Sequence, residues 1–190
     1  MIRLPVASIV CASTTSLLLF ASAVNAQTTQ PAQPAQAAPN ASVRLHAADQ
    51  TFINDGTQAV ATQRDAARIA TSRSTDREVK AFAEKVAADN LKIADALRAA
   101  SPRGVDVPHN NPDTATLDSI KNLRGADFDK AYIEQIALGG EQKTLSAFQA
   151  EIASGRNDQL KDAARKALPT IQAQYASAQE LAKRKHLAAQ

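Results

Sequence analysis

Cysteine is almost missing from this 190-residue chain: the only one is Cys11, close to the amino terminus. No disulfide framework can form within the chain, and no cysteine metal cluster or pair of catalytic thiols is available. Tryptophan is absent, and aromatic residues make up 4% of the sequence, so any core must be built mainly from aliphatic side chains and alanine. No stretch shows the period-2 alternation of strands, which excludes a β-barrel, including one of the outer-membrane type. Gly-x-Ser-x-Gly elbows, phosphate-cradling glycine loops and paired-carboxylate motifs are also missing. Charge of one sign is not concentrated either. The chain carries 22 basic and 19 acidic residues, and no basic stripe with interleaved aromatics that would suit nucleic acid. The Lys183-Arg184-Lys185 cluster reads as a solvated carboxyl end of a helix, where cations suit the dipole.

What is present begins with an export pattern over residues 1–26. Arg3 is the only charge before Arg44, an apolar stretch runs from Leu4 to Phe20, and Val24-Asn25-Ala26 supplies compact residues for a peptidase. Cleavage after Ala26 would remove Cys11 and place the mature chain in the periplasm or outside the cell. Ser8-Ile9-Val10 lacks the small residue that lipidation of Cys11 requires. An uncleaved anchor is the competing reading, but Pro5, Ser13, Thr14, Thr15 and Ser16 dilute a run already short of the roughly 20 apolar residues a span needs. Residues 27–44 are rich in Gln, Ala and Pro, and read as a disordered linker. The folded domain is expected over 45–186, with a tail at 187–190.

Apolar periodicity predicts four long helices. The first covers about 47–72, with Phe52, Ile53, Val60, Ala66 and Ile69 on one face. The second opens at a capping box, Thr75-Asp76-Arg77-Glu78, carries Val79, Phe82, Val86, Ile93 and Leu97, and stops before Pro102. Asp76 and Lys80 are spaced as an i,i+4 surface pair. The connection 101–112 leads to a short helix with Leu117, Ile120 and Leu123 that Gly125 breaks. Asp127 is expected to cap the third long helix, which runs from Phe128 to Ile152. The fourth starts near Asp158, with Leu160, Ile171, Ala178 and Leu181 on its apolar face and a kink expected at Pro169. The fold class is all-α, an up-and-down four-helix bundle with a short extra helix in the helix 2–3 connection.

Each apolar stripe has a polar interruption near its middle: Gln63, Asn90, Glu141 and Gln174. With antiparallel packing these four side chains could form one central polar layer; alternatively, several rotate to the bundle edge and meet water. One carboxylate and three neutral amides are a poor set for a divalent metal. The chain has no Glu-x-x-His, and His46, His109 and His186 have no partner at ligand spacing. Metal binding at the layer is possible but disfavoured, no cofactor or catalytic residue is assigned, and the layer reads as a device fixing helix register.

Glu78-Val79-Lys80-Ala81-Phe82-Ala83, Asp89, Phe128-Asp129-Lys130-Ala131-Tyr132 and Leu168-Pro169-Thr170-Ile171-Gln172 follow one another in an order and spacing that resembles the bacterial domain-of-unknown-function 4142 family, over about residues 48–182. The resemblance implies an exported, ferritin-like helical bundle, often labelled an outer-membrane or periplasmic protein, without an established activity. Family members typically carry histidine at the positions of Asn90, Gln174 and a mid-helix-three site matching Gly140 or Glu141, and often glutamate at that of Gln63. An extra residue beside Gly139-Gly140 can be absorbed as a π-bulge. These departures imply that a family metal site, if there is one, has lost its ligands here. The functional expectation is an envelope protein with a non-enzymatic interaction or stress-related role and an unknown envelope partner or surface. The alternative is a divergent ferritin-like metal-binding or redox bundle.

Overall fold

The computed structural model describes residues 45–108 and 110–187. The leader, all of the linker and His109 lie outside the described residues, as do the last three residues of the tail. The described residues form five helices and no strand. Helix α1 spans residues 47–73 and comprises Ala47–Thr51, a π-helical turn Phe52–Gly56 and Thr57–Arg73. Helix α2 is Arg77–Ala99, and the short α3 is Thr114–Lys121. Helix α4 spans residues 125–154: Gly125–Ala131, a π-helical stretch Tyr132–Gly140, and Glu141–Ser154. Helix α5 is Asp158–Arg184 and continues through Pro169.

The helix starts differ in detail from those expected. Asp76 itself is the N-cap of α2, accepting from the N–H groups of Glu78 and Val79, so the reciprocal Thr75–Glu78 box does not form. An Asp at this position satisfies two free amides at once, and loss of such a cap costs about 1 kcal/mol. Helix α4 begins at Gly125, whose φ of +56° suits glycine, and Asp127 lies in its first turn instead of capping it.

Two apolar clusters hold the helices together. One gathers around Phe128, Tyr132, Ile133 and Ile136 of α4, with Val79 and Val86 of α2 and Leu181 of α5. The other joins Phe52 and Ile53 of α1, Leu97 of α2, Phe148 of α4, and Leu160 and Ile171 of α5. Phe52 and Phe148 meet edge to face with ring centroids 5.0 Å apart. Each fully buried Leu, Ile or Phe side chain contributes roughly 1.5–3 kcal/mol, and the many core alanines, such as Ala66, Ala67 and Ala70, let backbones approach.

Helix direction follows from which residues meet. Asp49 at the start of α1 bonds the backbone just beyond the end of α4, and Gln63 further along α1 bonds Ile136 earlier in α4, so these two helices are antiparallel. Asp76 at the start of α2 meets Lys185 just past the end of α5. Short turns join α1 to α2 and α4 to α5, making each pair an antiparallel hairpin. It follows that α2 and α4 run in the same direction. The expected simple up-and-down succession is therefore corrected: one long crossover separates two hairpins. Helix α2, with 23 residues, is about 35 Å long, a distance that residues 100–124 can span. Helix α3 lies in this crossover and packs on α1, where the Asp113 N–H donates to Thr62 Oγ1 at 2.8 Å.

The basic end of α5 is not merely solvated. Lys185 pairs with Asp76 at 2.5 Å and with Glu78 at 2.7 Å, and Arg184 pairs with Glu78 at 2.7 Å. Asp76 therefore pairs across helices, which corrects the expected local pairing with Lys80. The Lys185 hydrogen bond, aided by the capping amides, holds the Asp76 carboxyl below its ordinary range against the opposing effect of burial.

Candidate functional site

All four mid-helix polar residues face inward. Gln63 and Gln174 are 2% exposed, and Asn90 and Glu141 are 0% exposed, so none turns to the edge. Gln174 Nε2 donates to Asn90 Oδ1 in a long contact of 3.5 Å, which joins α5 to α2. Gln63 Nε2 donates to the backbone carbonyl of Ile136 at 2.9 Å, which joins α1 to α4. These two bonds couple α2 with α5 and α1 with α4, and Glu141 takes part in neither.

The π-helical stretch explains how α4 takes part. A wide turn shifts side-chain register, and the Ile136 carbonyl accepts both the Glu141 N–H within the helix and Gln63 Nε2 from α1. The stretch ends at Gly139-Gly140, where the sequence allowed an extra residue to be absorbed. Gly140 allows a close approach: a Cβ there would collide with Gln63 Nε2. Glu141 carries the inward carboxyl, and Gly140 makes room for the neighbouring amide.

Several polar atoms at this level have no hydrogen-bond partner: Gln63 Oε1, Asn90 Nδ2, both Glu141 carboxyl oxygens, Gln174 Oε1 and the Tyr132 hydroxyl. Such groups are uncommon in a native interior and costly when ionised. Burial accordingly pushes the Glu141 carboxyl up to about 8, leaving it protonated and uncharged at neutral pH. Burial also raises the Tyr132 hydroxyl, with the Glu141 charge as the second cause. Tyr132 was not singled out from the sequence, because an aromatic in an apolar row looks like ordinary core. A cavity of about 570 Å³ adjoins this region, with Gln63, Gly140, Gln135 and Lys143 in its lining.

A ferritin-like metal centre would require several ionised carboxylates and histidines converging from the helices. Three amides and a single carboxyl do not supply that donor set. Among the described residues, no group of three or more His, Cys, Asp or Glu side chains is placed to hold a metal ion. His46 instead caps α1, accepting from the Ala48 N–H at 3.3 Å, and His186 follows the last helix at a φ of +56°.

A second buried carboxyl was also missed. Glu151 is 1% exposed and continues the buried row Glu141, Thr144, Phe148, whose 3-4-3 spacing is the signal that would have found it. It lies next to Asp49, also 1% exposed. Burial works to raise the Asp49 carboxyl, but hydrogen bonds from the N–H groups of Asn157 and Arg156 outweigh it and bring the group below its ordinary range. Burial raises Glu151 to about 7, assisted by the charge of Asp49 and the hydrogen bond between the two carboxyls and opposed by Lys161.

No curated protein and no solved structure matches the chain. The family described as a domain of unknown function, DUF4142, matches residues 31–181. That span takes in all of α1 to α4 and nearly all of α5, with the central polar residues inside it, and the chain belongs to the DUF4142 family.

Proposed function

We propose that this is an exported envelope protein: a ferritin-like four-helix bundle, released from its leader after Ala26, with a non-enzymatic interaction or stress-related role. The observation that carries this reading is the donor set at the bundle centre, three neutral amides and a single carboxyl. Such a layer penalises helix rotation and slippage, because any shift would bury its polar groups against apolar neighbours. The single long crossover supports the ferritin-like comparison. The leader pattern of residues 1–26 supports export, and among the described residues no helix is long and apolar enough to cross a membrane.

The unpartnered oxygens of Gln63, Gln174 and Glu141 favour the alternative, a divergent metal-binding or redox bundle. Elemental analysis of protein purified from the envelope separates the two. The proposal predicts no stoichiometric metal. Iron, manganese or zinc at one equivalent or more, lost on Glu141→Ala, would establish the alternative. Amino-terminal sequencing tests export: a mature chain starting at Gln27 is expected, and one starting at Met1 would contradict cleavage.

A further inference from the structure

We propose that Asp49 and Glu151 form a proton-binding latch, in which one shared proton holds the first turn of α1 against the turn between α4 and α5. Two carboxyl groups that are both 1% exposed can neighbour each other only if one of them carries a proton. Asp49 is the fixed acceptor. Its Oδ1 receives the N–H groups of Arg156 at 2.8 Å and Asn157 at 3.0 Å, the first residues after Gly155. Both Glu151 oxygens lack any donor, as expected of the partner that brings its own proton.

The backbone is shaped around this contact. Gly155 lies against the Glu151 carboxyl, and a Cβ there would meet the Glu151 carbonyl oxygen at 2.6 Å as well as the side chain. A cavity of about 270 Å³ between α1 and α4 is lined by Ala48, Thr51, Phe52, Ala150 and Glu151, which places Glu151 next to open space at this end of the bundle.

The charged groups around the pair set its sign. His46 and the two backbone amides favour ionised Asp49, Lys161 of α5 favours ionised Glu151, and Asp55 of α1 lines the same cavity. Glu151 is the group raised in the folded chain, from an ordinary 4.5 to about 7. A raised carboxyl binds its proton more tightly when latched. The latch is therefore at full strength near pH 4.5 and weakens as pH rises through 7. Asp49 is shifted the other way, so below its ordinary 3.8 the latch weakens again as Asp49 takes up a proton. Loss of the Glu151 proton to solvent leaves two carboxylates facing each other, and the first turn of α1 separates from the α4–α5 turn.

Amide hydrogen exchange of the full chain, corrected for intrinsic rates, tests this. Protection at Arg156 and Asn157 is expected to fall by up to about tenfold per pH unit between 4.5 and 7 and then level off. The amides of Glu78 and Val79, capped by Asp76 at the far end, serve as the control and should not follow that slope. In Glu151→Gln the side-chain amide can donate to Asp49 at every pH, so protection should be high and flat. A flat profile in the unaltered chain, or an unchanged slope in Glu151→Gln, would overturn the latch. Should the variant not fold, carboxyl carbon shifts of the unaltered chain decide. A Glu151 midpoint near 7 supports the latch, and one near 4.5 refutes it.

Discussion

Two buried glutamates ten residues apart on one helix illustrate how differently a fold can handle the same side chain. Glu141 sits mid-helix among neutral groups, and burial alone raises it to about 8. Glu151 sits at the carboxyl end of α4, beside exposed Ser154, and its proton affinity comes from burial together with a carboxylate neighbour that the backbone has fixed. The first is a polar plug that is mostly protonated at neutral pH and ionises toward pH 8. The second is poised within the range where small pH changes alter its charge. The middle of the molecule is thus insulated from neighbouring charge, and one end is responsive to it.

The largest expected effect tests whether the responsive end relies on packing as well as on its proton. Phe148→Ala removes the edge-to-face contact with Phe52 in the same region as Asp49 and should cost about 3–5 kcal/mol in urea unfolding. Glu141→Gln addresses the middle. The folded chain binds the Glu141 proton more tightly than the unfolded chain, so stability is full below about pH 4.5 and declines as pH rises to about 8. The variant should remove this component of the decline and exceed the unaltered protein at pH 8 by about 4 kcal/mol.

Added methyl groups compare the two sites more finely. Gly155→Ala meets a backbone oxygen, which cannot move aside, and should cost about 1–3 kcal/mol. Gly140→Ala meets only the end of the Gln63 side chain and should cost about 1 kcal/mol, together with the loss of the Ile136 hydrogen bond. A larger cost at Gly140 than at Gly155 would reverse the ranking of the two sites. The smallest change, Asp76→Ala, removes a cap remote from the Asp49–Glu151 end and should cost about 1 kcal/mol without altering exchange at Arg156 and Asn157.

Much of this architecture is legible in the sequence. Apolar periodicity locates every helix to within a few residues, and the polar interruptions at Gln63, Asn90, Glu141 and Gln174 all prove to be buried. Direction was not legible. Periodicity reports which face of a helix is apolar but not which end lies beside which neighbour, and the crossover emerges only from contacts such as Asp49 with Arg156. The π-helical stretch at Tyr132–Gly140 was foreshadowed by Gly139-Gly140, whereas Phe52–Gly56 carried no comparable signal. Asp49 and Glu151 escaped notice because their pairing spans about a hundred residues, and an acidic residue near a helix terminus ordinarily indicates solvent or dipole.

The contrast between an insulated middle and a responsive end is tested most directly by carbon-detected titration of the glutamate carboxyls, in the unaltered chain and in Asp49→Asn. The expected result is a midpoint near 8 for Glu141 that Asp49→Asn leaves in place, and one near 7 for Glu151 that falls toward the ordinary carboxylate range in the variant. Midpoints near 4.5 for both, or equal movement of both on Asp49→Asn, would contradict it.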